Sequence, residues 1–171
     1  MSTNESSNIP PGGTGPEAII TPAVYSSGEV LDQFAALLAD TSFSRQLRYL
    51  GMKRFSMSPR RRRAKRELEA LYIGLWKLAL DSSFPQQAEE FLTDFLNRQQ
   101  QIRHGKKGER FCERVREYTR LLKEHEDKDF TAVAGTIIAN IGLPEADCPK
   151  AVLALALDIR AFYQTIFDRL I

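Results

Sequence analysis

From Leu68 to Leu80 the chain carries Leu68, Leu71, Tyr72, Ile73, Leu75, Trp76, Leu78 and Leu80, with no continuous polar face at helical spacing. A helix that is apolar nearly all round is stable in water only when other elements cover every side of it. The rest of the chain must therefore be read as its wrapping. The start of this helix is written in Ser58 and Pro59: serine is a good N-cap, and proline suits the first helical position because its missing N–H would go unsatisfied there. Between that start and the apolar run lie Arg60–Arg66, turns expected to protrude beyond the core.

Segments with a one-sided apolar stripe lie on both flanks. Ser26 and Glu29 have capping-box spacing, and Leu31, Phe34, Leu37 and Leu38 follow at helical steps to about Asp40. A short helix from Ser42 or Ser44 carries Leu47 and Leu50 and is expected to end at Gly51. Pro85 should open a further helix with Ala88, Phe91, Leu92, Phe95, Leu96 and Ile102, broken by Gly105–Gly108. Phe111, Val115, Tyr118, Leu122 and His125 predict the next; Phe130, Val133, Ala134, Ile137, Ile138 and Ile141 predict another, stopped by Gly142 and Pro144. The last should run from about Pro149 with Val152, Leu155, Ile159, Phe162, Tyr163, Ile166 and Leu170. No period-2 strand stands out. The expected fold is all-α: a compact antiparallel bundle of about six to seven helices over residues 27–171, joined by short connections. Part of the last helix, with Phe167 and Leu170, is a possible interface for a second copy or another partner.

Residues 1–26 read differently. Pro10-Pro11-Gly12-Gly13 and Gly15-Pro16 sit among Ser, Thr and Asn. Such a stretch buries too little apolar surface to offset chain entropy, so a disordered tail is expected. The start lacks the basic-then-apolar pattern of a signal peptide, and no run approaches the roughly 18 apolar residues of a membrane span. Two cysteines, Cys112 and Cys148, do not make a disulfide framework. Together these point to a cytoplasmic protein.

Charge is where function enters. The net charge of the whole chain is only +2, but residues 45–66 carry ten Lys/Arg and no Asp/Glu. Residues 103–116 add six basic residues against two glutamates, which leaves the rest of the chain at −12. The first belt comprises Arg45, Arg48, Lys53, Arg54, Arg60, Arg61, Arg62, Arg63, Lys65 and Arg66, interleaved with Tyr49 and Phe55. Four arginines in the opening turns of a helix oppose its positive N-terminal dipole, at about 0.3–1 kcal/mol for each exposed cation near the end. An anion would relieve that penalty, and guanidinium forks suit phosphate and carboxylate geometry. Tyr49 and Phe55 could stack on unpaired bases. The second patch, Arg103, Lys106, Lys107 and Arg110 with Arg114 and Arg116 beyond it, surrounds the Gly105–Gly108 break and reads on its own as a solvated turn; beside the first belt it would form with it one groove or face long enough for nucleic acid. It lacks the residue spacing and the preceding strand of a phosphate-binding P-loop.

No catalytic signature is present, neither a Gly-x-Ser-x-Gly elbow nor a His-Glu-x-x-His pair nor a dinucleotide glycine fingerprint. His104, Cys112, His125 and Cys148 do not have paired zinc-ligand spacing, so neither metal nor cofactor is expected. Glu67/Glu69, Glu89/Glu90 and Glu109/Glu113/Glu117 read as solvated helix faces. The expectation is a non-enzymatic binding domain that meets nucleic-acid phosphates through the basic belt. The alternatives are a helical adaptor or assembly subunit whose belt pairs with an acidic protein surface, charge pairing within the fold or between two copies, and a membrane surface or small anion.

Overall fold

The computed structural model describes residues 26–52, 58–125, 130–144 and 148–170, the last without its side chain. Among them are seven helices and no strand: α1 Ser27–Asp40, α2 Ser44–Tyr49, α3 Pro59–Ser83, α4 Ala88–Arg103, α5 Gly105–Glu124, α6 Thr131–Ile141 and α7 Cys148–Leu170. None is long and apolar enough to cross a membrane. Of the expected tail, residues 1–25 lie outside the described residues. Ser26 is described and belongs to the fold: its Oγ accepts from Glu29 N, while its own backbone N–H donates to Glu29 Oε2 at 3.1 Å, the reciprocal pairing of a capping box.

The apolar run predicted to be central is so. α3 contacts each of the other six helices, and Leu68, Leu71, Ile73 and Leu75 are wholly buried. Trp76 lies flat on Phe34 of α1, with ring centroids 4.2 Å apart, and Phe95 of α4 meets both rings at an angle. On another side, Tyr72 stacks on Phe162 of α7.

Helix direction follows from which residues meet. α4 runs back along α3, since Glu89 lies 3.3 Å from Lys77 and Arg103 lies 2.9 Å from Glu69. α5 then runs back along α4, with Cys112 beside Leu96 and Gly108 against Gln100. Two reversals leave α5 parallel to α3: Glu67 meets Tyr118, Gly74 meets Thr119 and Leu122, and Asp81 meets Lys123. The N-termini of α3 and α5 are therefore at the same end of the bundle.

Three expectations about boundaries need correction. Pro85 does not open α4; it sits in a turn over Pro85–Gln87, and the helix begins at Ala88. The break after α4 is sharper than a four-residue hinge, because His104 (φ 49°) and Gly105 (φ 55°) turn the chain and Gly108 is already in the first turns of α5. His125, expected on the apolar stripe of α5, is its exposed C-cap. By contrast Gly142 ends α6 as expected, in the left-handed conformation, with its N–H and that of Leu143 returned to Ala139 and Ile138 carbonyls.

Gly108 sets how closely α5 approaches α4. A Cβ there would stand 3.0 Å from the Gln100 carbonyl oxygen and 3.2 Å from its Cα, both backbone atoms that cannot step aside. Gly135 on α6 has nothing within 4 Å of the same position. Gly108→Ala should thus lose about 1–2 kcal/mol of unfolding free energy despite its better helix propensity, while Gly135→Ala should gain about 0.5–1 kcal/mol. Urea unfolding of the two variants checks this, and a shift of the same sign in both would contradict it.

Candidate anion-binding site

Parallel α3 and α5 bring the two basic stretches together. Arg63 and Arg66 of α3 and Arg103, Lys107, Arg110 and Arg114 around the start of α5 line one cavity of about 690 Å³, with Glu67, Phe111 and Asn140 completing it. Exposure grades from rim to base: Arg63, Arg66, Lys107 and Arg110 are exposed, Arg103 and Arg114 half-buried, and Glu67 buried. Six cations thus converge on one concavity, Lys107 among them in the first turn of α5.

The base of the cavity is a polar network that holds an otherwise costly buried carboxylate. Glu67 Oε2 accepts from the Tyr118 hydroxyl and from Asn140 Nδ2 at 3.4 Å, and it lies 3.3 Å from Arg114 Nε. A buried carboxylate is tolerable only with such donors and a counter-charge. Burial, then the hydrogen bond to Glu67 and its charge, push the Tyr118 phenol well above the usual tyrosine range. Glu67 is therefore not part of a solvated face, contrary to expectation. Nor do the opening turns of α3 stand clear of the core: Ala64 is wholly buried, and Arg60 Nη2 donates to the Gly142 carbonyl at 2.9 Å, a favourable contact at the C-terminal end of α6.

The cations divide into tethered and unpaired. Arg103 binds Glu69 and lays its guanidinium 3.7 Å over the Phe111 ring; Arg114 also binds Glu117 at 2.6 Å. Arg63, Arg66, Lys107 and Arg110 have no carboxylate within ion-pair distance among the described residues.

Other predicted contacts lie apart from this site. α2 packs beside the middle of α3, where Gln46 donates to Tyr72 at 3.2 Å, and there Arg45 makes a two-pronged pair with the buried Asp158 of α7. For Arg45 pairing within the fold is the correct reading. Arg48 and Arg62 are exposed and Lys65 is 3.8 Å from Glu69; the Arg61 backbone N–H donates to the Ser58 cap. Lys106 is exposed on α5 but does not line the cavity. Lys53, Arg54 and Phe55 fall outside the described residues.

Sequence reasoning placed Arg114 in the second stretch without making it a candidate contact, although Lys107, Arg110 and Arg114 have the 3,4 spacing of one helix face. Among the described residues no three His, Cys, Asp or Glu side chains are grouped as a metal site. No protein-family model, curated protein or solved structure matches the chain.

Proposed function

We propose that this is a non-catalytic domain that binds nucleic acid through its phosphates, at the shared N-terminal end of α3 and α5. One observation carries the reading: four cations from two distant stretches of sequence line a single cavity, and none of the four has a carboxylate within ion-pair distance among the described residues. Clustered like charges repel one another, and Lys107 in the first turn of α5 also opposes its helix dipole, so the arrangement costs stability in the free protein. Phosphate oxygens would reverse that cost, because guanidinium and ammonium groups and helix N-termini all suit them. No base-reading helix is evident, so binding should be largely independent of sequence.

Anisotropy titrations of labelled single-stranded and duplex oligonucleotides test this. With four phosphate contacts at 0.7–0.9 counterion each, log K against log salt should fall with a slope of about −3. Absence of binding at about 50 mM salt, where such contacts are strongest, would overturn the proposal and leave an acidic protein surface as the counterpart of the belt.

A further inference from the structure

The site is a concavity with a buried residue in its lining rather than a flat stripe, and its shape bears on what it holds. At about 690 Å³ it falls in the range of small-molecule pockets, roughly 300–1,000 Å³, a size that suits a nucleotide. Its base is shut by Glu67, which is buried, and by the Tyr118 and Asn140 side chains that hold that carboxylate. A strand tracked along its backbone needs charges spread in a row along a groove that is open at both ends. Here the charges line one concavity. The Glu67 carboxylate repels an anion from the floor, which leaves it at the level of Arg63, Arg66, Lys107 and Arg110.

A chain end suits such a place better than an internal linkage. An internal phosphodiester carries one negative charge and continues on both sides, whereas a terminal phosphate monoester carries about −1.5 to −2 near neutral pH, offers three acceptor oxygens and stops. Arg103 and Arg114 are already fixed by Glu69, Phe111, Glu67 and Glu117, so part of the lining is set before a ligand arrives. Resting on the nucleic-acid reading above, we infer that the cavity receives the phosphorylated end of a single-stranded nucleic acid, the terminal monoester and the linkages next to it together meeting the four cations.

The test compares one single-stranded sequence in 5′-phosphorylated, 3′-phosphorylated and unphosphorylated forms, with an unphosphorylated strand two nucleotides longer, whose two added phosphodiesters at least match the charge of the monoester. At least one phosphorylated form should bind about ten-fold or more tightly than the charge-matched strand. That preference should vanish in the Lys107→Gln/Arg110→Gln double variant, whose replaced side chains are exposed and have no carboxylate partner among the described residues, and persist in Arg48→Gln on the distant α2. Equal affinity of phosphorylated and charge-matched strands, or a preference that survives in the double variant, overturns the inference while the nucleic-acid reading stands. If no strand binds, both fall.

Discussion

Above about pH 10 this protein should lose stability steeply, because two buried phenols hold their protons in the folded state after the unfolded chain has released them. Tyr72 is raised above the ordinary tyrosine value by burial first and then by the charge of Asp158; Tyr118 is raised by burial and then by its hydrogen bond to Glu67. A folded-state value above the unfolded one contributes stability in full below the unfolded value of about 10. That contribution then declines as pH climbs toward the folded value, since there the unfolded state binds fewer protons. Each phenol adds a slope of about 1.4 kcal/mol per pH unit, so the pair gives nearly 3 kcal/mol per unit, against a total stability of roughly 5–15 kcal/mol for a typical domain. Lys123, raised mainly by its hydrogen bond to Asp81, and Cys112, raised by burial, push the same way.

Urea midpoints from pH 8 to 11, read beside tyrosinate absorbance, measure this. Tyr118→Phe should remove about half of the phenol slope while costing about 1–3 kcal/mol at neutral pH, because Glu67 loses a buried donor. Midpoints that stay level to about pH 11, or tyrosinate forming at Tyr72 and Tyr118 before unfolding, would show that neither phenol is held as described.

Tyr118 also marks where the sequence stops being readable. Its apolar spacing with Val115 and Leu122 places it on the inner face of α5, but nothing in that spacing says that its hydroxyl will need a partner from α3. Glu67 stands between Arg66 and Leu68 and beside Glu69, where a local reading makes all the acids solvent-facing. What buries Glu67 is its tertiary position, under Asn140 of α6 and Arg114 of α5, and no local pattern encodes that. The central place of α3 was legible because an all-round apolar helix has one physical solution. The turn chemistry at Ser26, Ser58 and Gly142 was legible because caps are local.

The meeting of the two basic stretches lies between these cases. Three successive helices with short reversals put the first and third starts at the same end, so Arg63 and Lys107 become neighbours by topology alone once α4 is seen as a single return stroke. What topology does not supply is the sorting of cations into tethered and unpaired. Arg45 and Arg63 belong to the same belt in sequence, yet Arg45 faces the buried Asp158 across α2 and α7 while Arg63 faces a cavity.

That sorting makes the binding proposal separable from stability. With Arg63, Arg66, Lys107 and Arg110 all changed to Gln, the folded protein should be as stable as before or slightly more so. The change removes mutual repulsion and, at Lys107 in the first turn of α5, a cation opposed to the helix dipole. Affinity for oligonucleotides should fall on the order of 10²–10³-fold at about 0.1 M salt, and the salt slope should flatten by about 3, as four phosphate contacts are lost. Arg114→Gln is the contrasting case. It withdraws a partner from the buried Glu67 and from Glu117, so it should cost about 1–3 kcal/mol of stability whatever the cavity binds. A fourfold variant that unfolds more easily by several kcal/mol would show that those four side chains are structural partners after all. A fourfold variant that keeps both its stability and its salt slope would move the binding surface off the shared end of α3 and α5, toward Arg48 and the exposed face of α2.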